Sequence, residues 1–433
     1  MSIQAESPLA IRPLAVSPDA TVVVPGSKSF TNRALITAAL AGGRSTLRGV
    51  LFSNDTEAML GCLESLRIPT IVDRQHFVVI VDGCGGVLPV AEALVNVRQS
   101  GTTARFVAPL LALGAGRFGV DGDPQMRARP MGDLVNALND LGVRIEGNNS
   151  GHLPLTIVGA GVRGGEIEVP GSVSSQFLSG LLLSAPCFAD GLRVRVLGDL
   201  VSKPYVDMTL ATMEAFGAQI ARNGYESFAV CGGGYRPAEY VIEPDASAAS
   251  YFFGAAAITG GRVRIDGLGT RTLQGDIAFV DALERMGVTV TRTATSTEVD
   301  ARSLTAGGLR GIEVDMAHCS DTAQTLAVVA VFADSPTKVT GIGFIRRKET
   351  DRIAAVVTEL QRCGIRAQED PDGFTVVPGP VRPATVATYD DHRMAMSFSL
   401  LGLKVPGMAI ANPGCVAKTF PNFFDVLETL RRG

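Results

Sequence analysis

Cationic side chains at the starts of predicted helices are the residues of this chain best suited to chemistry. Lys28 and Arg33 stand in VPGSKSFTNRAL (24–35), and Arg393 opens an otherwise apolar helix in DDHRMAM (390–396). A helix start favours anions because its first backbone N–H groups lack partners and the helix dipole is positive there. Seven cations lie at turns of this kind: Lys28, Arg33, Arg129, Lys348, Arg352, Arg393 and Lys418. Since the guanidinium group pairs with carboxylate and phosphate, they indicate two small polyanionic ligands.

Neutral and acidic groups accompany these cations. Hydroxyl, amide and glycine residues lie at equivalent turns: Ser29, Gly101, Ser174, Ser175, Gln176, Ser202 and Tyr205. Asp321, Glu349, Lys28 and His392 are the available proton carriers. The sequence has no nucleophile elbow, no Cys–His pairing and no metal-ligand cluster, so it predicts acid–base chemistry with electrostatic stabilisation, without metal or cofactor.

Each of these features also has an ordinary structural interpretation. Serine is a good helix cap, and a turn often needs glycine. In KETDR (348–352), Lys348 and Arg352 are predicted to share one face of a helix with Glu349 beside it, which is equally typical of a solvated salt-bridge face.

A repeat of roughly 73 residues positions these turns. Six copies are anchored at Pro25, Arg98, Pro170, Pro244, Met316 and Asp390, with intervals of 73, 72, 74, 72 and 74 residues. Each copy opens with a short strand, such as ATVVV (20–24) or YVIE (240–243), and continues with a small polar turn and an apolar helix. A second strand, an amphipathic helix and two further strands follow, so the pattern predicts a βαβαββ unit.

Three units per domain give an α/β fold with helices inside and sheet outside. The sixth copy lacks its closing strands, and the first twenty residues are spare. We therefore expect one domain over 27–243 and a second over 1–26 plus 244–433, completed by the N-terminal segment. If both domains direct their turns at a shared interface, the seven cations converge there.

Composition narrows the class of protein. The chain has 433 residues, is 46% apolar and carries a net charge of −4, which gives no reason to expect nucleic acid as a partner. No apolar run reaches roughly 18 residues, and MSIQAESPLA lacks a signal layout, so we expect a cytoplasmic protein without membrane contact. Seven scattered cysteines argue against disulfides and zinc. No sustained exposed apolar stripe demands a partner, so we expect a monomer.

Several segments together resemble the EPSP synthase family, the 3-phosphoshikimate 1-carboxyvinyltransferases. They are VPGSKSFTNRALITAAL, GSVSSQFLSGLL, DLVSKPYVDMTL, DASAASYFF, KETDR, YDDHRMAM and AKTFP, and the resemblance covers essentially the whole chain. It implies the two-domain enolpyruvyl transferase fold, an inside-out α/β barrel in each domain, with the active site in the cleft. It also implies transfer of the enolpyruvyl group of phosphoenolpyruvate to the 5-hydroxyl of shikimate 3-phosphate by addition and elimination, in the shikimate pathway to aromatic amino acids.

The resemblance implies roles for individual residues. The shikimate 3-phosphate contacts are Lys28, Ser29, Arg33, Ser174, Ser175, Gln176, Ser202, Tyr205, Asp321 and Lys348. The phosphoenolpyruvate contacts are Lys28, Gly101, Arg129, Gln176, Arg352, Arg393 and Lys418. Asp321 takes the hydroxyl proton, Glu349 with Lys28 protonates the methylene carbon, and domain closure excludes water.

The sequence departs from the family pattern at a few positions. Gln99 replaces a common Asn. Phe344 replaces an Asn that contacts the shikimate phosphate in some members, so this contact is either lost or supplied by Arg346 or a backbone group. The family's inhibitor glyphosate occupies the phosphoenolpyruvate site, and Gly101 leaves room for it, so we expect inhibition despite Phe106 in place of a common Pro.

Two other functions are compatible with parts of the pattern. UDP-N-acetylglucosamine enolpyruvyl transferases share the fold, but they carry Lys–Asn where this chain has Lys28–Ser29. They also carry a reactive Cys in the loop that is DPQMRARP (123–130) here. A non-catalytic anion-binding repeat protein has no need of Asp321 and Glu349 beside the cations.

Overall fold

The computed structural model describes residues 7–147, 151–172, 174–304 and 308–431. The chain divides into two compact units. The central unit is Gly26–Glu243, and the split unit is Met1–Pro25 together with Pro244–Gly433. In sequence, the central unit is thus an insertion within the split unit.

The first helix of each repeat lies in a hydrophobic core, as its lack of a polar face predicts. In chain order the α-helices are α1 (Lys28–Leu40), α2 (Asn54–Ser65), α3 (Gly101–Ala112), α4 (Pro124–Arg127), α5 (Gly132–Asp140), α6 (Ser175–Ser184), α7 (Lys203–Ala215), α8 (Ala246–Thr259), α9 (Phe279–Arg285), α10 (Ala323–Ala330), α11 (Arg352–Arg362), α12 (His392–Gly402) and α13 (Phe423–Thr429). Every residue of α3, α10 and α12 is buried. Each unit has its own core, and α1, α3 and α6 supply the centre of one while α8, α10 and α12 supply the other.

The strands of the described residues form six small sheets. They are β1 (Leu9–Ala10), β2 (Asp19–Thr21), β3 (Arg44–Arg48), β4 (Thr70–Asp73), β5 (Val78–Asp82), β6 (Glu92–Asn96), β7 (Ala115–Asp121), β8 (Arg144–Gly147), β9 (Leu155–Ala160), β10 (Gly165–Pro170), β11 (Leu192–Leu197), β12 (Ile220–Asn223), β13 (Ser227–Val230), β14 (Glu239–Val241), β15 (Arg262–Asp266), β16 (Thr289–Arg292), β17 (Ser296–Asp300), β18 (Glu313–Asp315), β19 (Thr337–Thr340), β20 (Arg366–Asp370), β21 (Gly373–Val377), β22 (Thr385–Val386) and β23 (Ala409–Ile410). Five sheets share one order: β14-β3-β5-β4, β6-β7-β9-β8, β10-β11-β13-β12, β2-β15-β17-β16 and β18-β19-β21-β20. In each, the first pair is parallel and the other pairs are antiparallel. A helix connects the parallel neighbours in three of the sheets: α3 joins β6 to β7, α6 joins β10 to β11 and α10 joins β18 to β19. The predicted fold class is confirmed.

Two strands pair differently from the simple repeat prediction. The sequence assigns 20–24 to the first repeat and 240–243 to the fourth, and both assignments are wrong. Strand β2 pairs with β15 of the fourth repeat, and β14 pairs with β3 of the first. The side chains beside these strands pack in the same units as the strands themselves. Val22 and Val24 lie in the core of the split unit, and Ile242 lies in the core of the central unit. Strand periodicity predicts that a strand exists, but tertiary packing selects its partner.

The sixth sheet has three strands, in the order β1-β23-β22. Strand β1 pairs antiparallel with β23, with Leu9 opposite Ile410. The backbone N–H of Ile11 continues the contact by donating to Met408 at 2.9 Å. The N-terminal segment therefore supplies the strand that the sixth repeat lacks. No helix among the described residues is both long and apolar enough to span a bilayer.

Candidate functional site

The predicted chemical residues lie directly after helix caps. Ser27, Ser100, Ser174, Asp245 and Asp391 are the N-caps of α1, α3, α6, α8 and α12, and the side chain of each accepts a hydrogen bond from a backbone N–H of the first turn. The predicted helix starts are confirmed at these positions. In the fifth repeat Asp321 lies in the short 3-10 helix Ser320–Thr322, which leads into α10.

Lys28, in the first turn of α1, is paired with a carboxylate that sequence reasoning missed. Its Nζ lies 3.3 Å from Oδ2 of Asp55, and the two side chains are 14% and 4% exposed. Asp55 belongs to the first turn of α2, where the helix dipole favours an acidic group. The pair holds the Lys28 ammonium in place, and the residue type of Asp55 at a helix start was the available signal.

Arg33 connects α1 to α7. Its Nε donates to Oγ1 of Thr209 at 2.8 Å, Nη1 donates to the Ser29 carbonyl at 2.9 Å, and Nη2 donates to the Tyr205 carbonyl at 2.8 Å. Burial lowers the pKa of Arg33 to about 10, an effect that the neighbouring tyrosines partly oppose. Two predicted ligand contacts, Ser29 and Tyr205, are thus brought together by the backbone carbonyls that Arg33 binds.

Gly101 lies against two buried guanidinium groups. A Cβ atom at this position would overlap Nη1 of Arg105 and lie 2.7 Å from Cζ of Arg129. Arg105 also donates through Nη2 to the carbonyl of Pro130 at 2.9 Å, which anchors the segment that follows Arg129. A side chain at this position would therefore displace the guanidinium groups of Arg105 and Arg129. Sequence reasoning missed Arg105, although an arginine within an apolar helix was a usable signal.

The hydroxyl and amide groups of the third repeat lie beside those of the second. Nε2 of Gln176 donates to Oγ1 of Thr102 at 3.4 Å, which joins the first turns of α6 and α3. Ser175 is buried within the first turn of α6. Ser202 precedes α7 in a left-handed backbone conformation with φ of 55°. Such a conformation costs energy in a residue other than glycine and is often found at functional sites.

The split unit gathers its predicted residues around Arg352. This side chain is 2% exposed, and it donates to Asp321 at 2.9 Å, to Glu349 at 2.7 Å and to Asp391 at 2.8 Å. Burial opposes the charge of Arg352, but the three carboxylates more than compensate and raise its pKa. Arg393 holds the other oxygen of Asp321, with Nη2 at 2.7 Å from Oδ2. The Asp321 carboxylate thus lies between two guanidinium groups.

Two further predicted residues are buried in the split unit. Lys418 ends the 3-10 helix Pro413–Lys418 and is 3% exposed. His392 is 1% exposed, and its Nδ1 lies 3.6 Å from Oδ1 of Asp391. Asp391 is the N-cap of α12 and also accepts a hydrogen bond from Arg352. One carboxylate therefore stabilises the start of α12 and holds the Arg352 guanidinium group in position.

One detail of the fifth repeat differs from the sequence predictions. Lys348 does not share a helix face with Arg352, because α11 begins only at Arg352 and Asp351 is its N-cap. Arg346, suggested as a replacement for the contact altered by Phe344, is bound to Asp351 and to Glu369, each at 2.9 Å. The Nζ of Lys348 lies 6.0 Å from the centre of the Phe344 ring.

Sequence reasoning also missed Asp276 and Ser247, which lie beside Arg393. Asp276 is 6% exposed and accepts a hydrogen bond from the Ser247 hydroxyl. Burial, followed by the charge of Asp321, raises the pKa of Asp276 to about 6. No local motif marks this carboxyl, since tertiary packing alone brings it to Arg393. Within the described part of the chain, no group of three or more His, Cys, Asp or Glu residues is arranged to hold a metal ion.

The repeated βαβαββ units and their clustered cations define the enolpyruvyl transferase class. A family model described as EPSP synthase (3-phosphoshikimate 1-carboxyvinyltransferase) matches residues 16–427. The chain therefore belongs to the EPSP synthase family.

Relatives and solved structures agree with this assignment. A 3-phosphoshikimate 1-carboxyvinyltransferase from Trichormus variabilis is 47% identical over 409 residues, which cover 94% of this chain and 95% of the relative. One from Yersinia pseudotuberculosis is 44% identical over 427 residues, 98% of each chain. The structure of EPSP synthase from Acinetobacter baumannii matches with a TM-score of 0.82 and 25% identity, covering 98% of both chains. These likenesses favour the main interpretation over the UDP-sugar alternative.

Proposed function

We propose that this chain transfers the enolpyruvyl group of phosphoenolpyruvate to the 5-hydroxyl of shikimate 3-phosphate. The products are 5-enolpyruvylshikimate 3-phosphate and phosphate, and the reaction is that of the family to which the chain belongs. The observation that best supports the proposal is the position of Asp321. Its carboxylate lies between Arg352 and Arg393, and Glu349 shares Arg352 with it. This arrangement combines proton carriers with binding groups for a carboxylate or phosphate.

The proposal divides the binding residues between the two substrates. Arg129, Arg352, Arg393 and Lys418 bind phosphoenolpyruvate together with Lys28, Gly101 and Gln176. Ser29, Arg33, Ser174, Ser175, Ser202, Tyr205 and Lys348 bind shikimate 3-phosphate together with Lys28, Gln176 and Asp321. Buried arginines suit these ligands because each guanidinium offers paired N–H groups to carboxylate or phosphate oxygens.

Proton transfers accompany both the addition and the elimination. Asp321 accepts the proton of the attacking hydroxyl, while Glu349 and Lys28 deliver a proton to the methylene carbon of phosphoenolpyruvate. The new C–O bond forms at the adjacent carbon and gives a tetrahedral intermediate. The C–O bond to phosphate then breaks, one methyl proton returns to the group that delivered it, and the double bond is restored. The arginines stabilise the anionic groups of the substrates through both steps.

The guanidinium partners of Asp321 affect its strength as a base. Each oxygen of the carboxylate accepts a hydrogen bond from a guanidinium group, which stabilises the charged form. A carboxylate has about four lone-pair sites, so these two hydrogen bonds do not by themselves prevent it from accepting a proton. A substrate carboxylate that binds Arg352 and Arg393 competes with Asp321 for their N–H groups, so the base gains strength when its reaction partner is present.

The test is phosphate release by the purified chain from phosphoenolpyruvate, supplied with shikimate 3-phosphate or with UDP-N-acetylglucosamine. Turnover is expected only with shikimate 3-phosphate, and its absence there would refute the proposal. Asp321→Asn should lower kcat roughly 100-fold or more, since a positioned base contributes factors of that size. Binding of both substrates, measured by calorimetry, should persist. Glu313→Gln is a matched control, because Glu313 is an exposed carboxylate of the same unit paired with Lys338.

The proposal extends to inhibition and cellular context. Glyphosate carries a carboxylate and a phosphonate and should compete with phosphoenolpyruvate for the same arginines. A monomeric state and a cytoplasmic location complete the proposal. Sedimentation of the purified chain with and without both ligands tests the first of these.

A further inference from the structure

Asp276 is a buried carboxyl group to which the reaction described above gives no role. It belongs to the 3-10 helix Gly275–Ala278, which packs against the start of α8. Its neighbour Gln274 fixes this segment: Oε1 accepts from the Ala246 N–H at 3.0 Å, and Nε2 donates to the Pro244 carbonyl at 2.7 Å. The backbone that carries Asp276 is therefore held firmly beside Ser247 of α8.

A short relay joins Asp276 to Asp321. The Ser247 hydroxyl donates to Oδ2 of Asp276, and Ser247 Oγ accepts from Nη2 of Arg393 at 3.4 Å. The same Nη2 donates to Oδ2 of Asp321 at 2.7 Å. A hydroxyl has one proton and two lone pairs. When its proton points to Asp276, its lone pairs remain available to Arg393.

We propose that Asp276 is a positioning residue for the transfer reaction, which acts through Ser247 to orient the Arg393 guanidinium toward Asp321. The inference rests on the proposed roles of Arg393 and Asp321. An ionised Asp276 compels the hydroxyl of Ser247 to donate in one direction. Arg393 already donates to the backbone carbonyl and to the carboxylate of Asp321, at 3.0 and 2.7 Å. Ser247 adds a third, fixed acceptor that further restricts the orientation of the guanidinium group.

The surroundings of Asp276 make this orientation sensitive to pH. The charged and titratable groups that face it are Asp321, Arg393, Asp245 and Cys319. On the adjacent helix α9, Asp281 is exposed and paired with Arg292. Burial and the charge of Asp321 raise the pKa of Asp276 to about 6, although Arg393 and Ser247 oppose the shift. Below this pH the protonated carboxyl group of Asp276 can itself donate a hydrogen bond to the Ser247 hydroxyl. It then competes with Arg393 for the lone pairs of the Ser247 oxygen.

The experiment compares Asp276→Asn, Ser247→Ala and wild type by steady-state kinetics from about pH 5 to pH 9. Wild-type kcat/KM for phosphoenolpyruvate should fall as the pH drops through about 6. In Asp276→Asn this fall of kcat/KM at low pH, the acid limb of the profile, should no longer be centred near pH 6, because asparagine does not titrate. The KM for phosphoenolpyruvate should rise roughly tenfold in both variants with a smaller change in kcat, the signature of a weakened binding group.

Controls separate this inference from the wider proposal. Asp281→Asn removes a nearby exposed carboxylate and should leave both the KM and the pH profile unchanged. Asparagine is isosteric with aspartate and removes a buried charge, so the thermal unfolding midpoint of Asp276→Asn should not fall below that of wild type. If KM and acid limb are unchanged in both Asp276→Asn and Ser247→Ala, the positioning role is refuted. If instead the wild-type chain shows no turnover with shikimate 3-phosphate, the proposed function fails and not the relay alone.

Discussion

Replacing Arg352 with methionine should destabilise the protein strongly, because three carboxylates depend on this one side chain. Asp391 should be destabilised most by the loss of Arg352, since its side chain is 0% exposed and accepts a hydrogen bond from Nε of Arg352 at 2.8 Å. Asp321 keeps a partner in Arg393, and Glu349 is 9% exposed. Breaking a buried ion pair on one side costs about 3–5 kcal/mol. We expect the free energy of unfolding to fall by about 4 kcal/mol, a large share of the roughly 5–15 kcal/mol typical of native proteins.

The loss should depend on pH in a defined direction. A buried carboxylate that has lost its guanidinium partner takes up a proton more readily than one in water, and protonation removes the uncompensated charge. A group of this kind destabilises the folded state at high pH and ceases to do so at low pH. The difference between Arg352→Met and wild type should therefore shrink as the pH is lowered from about 8 to about 5.

Urea denaturation followed by circular dichroism measures both effects. Arg346→Met is the matched control, because Arg346 pairs with Asp351 and Glu369 at similar distances but near the surface. Exposed ion pairs contribute about 0–1 kcal/mol, so this variant should lose little. Equal losses in the two variants, or a loss in Arg352→Met that does not vary with pH, would show that burial of the three carboxylates does not govern their energetics.

Two further predictions concern binding and reactivity. Gly101→Ala should raise the KM for phosphoenolpyruvate and weaken inhibition by glyphosate, because the new methyl group displaces the guanidinium groups of Arg105 and Arg129; unchanged inhibition would contradict this account. Among the seven cysteines, only the exposed Cys231 should react rapidly with a thiol reagent at neutral pH. Burial raises the pKa of Cys62, Cys187, Cys319 and Cys415 to about 12 each, so their thiols stay protonated until the chain is unfolded. Reaction of more than one thiol in the native protein would argue against this prediction.

The local sequence was sufficient to predict where these helices start and which cationic side chains lie near most of those starts. Serine or aspartate followed by an apolar run identifies Ser27, Ser100 and Asp391 as caps, because capping is a short-range interaction. The same rule applied to Asp351 predicts the start of α11 at Arg352. The expectation that Lys348 lies on that helix was wrong. It relied on the four-residue spacing between Lys348 and Arg352, whereas the N-cap residue Asp351 places the helix start after Lys348.

The partners of the charged residues could not be predicted, because they come from distant parts of the chain. Asp276 lies in no recognised motif, and the local signals of Asp55 and Ser247 do not identify Lys28 and Arg393 as their partners. The periodic pattern identified β2 and β14 as strands but not their sheets, since both strands are compatible with either of two equivalent repeats. Repetition makes a fold recognisable and at the same time makes the pairing within it ambiguous.

The pairing of β2 and β14 has a consequence for synthesis on the ribosome. The central unit is complete once β14 emerges, and it can fold while the rest of the chain is still being translated. The split unit has to wait. Strand β2 finds its partner β15 soon after the central unit, but β1 pairs with β23 near the C-terminus, and the ion pair between Arg12 and Glu428 spans 416 positions. Contacts of such long sequence separation form slowly. We expect nascent chains stopped after residue 243 to hold a protease-resistant central unit while residues 7–25 remain open to cleavage.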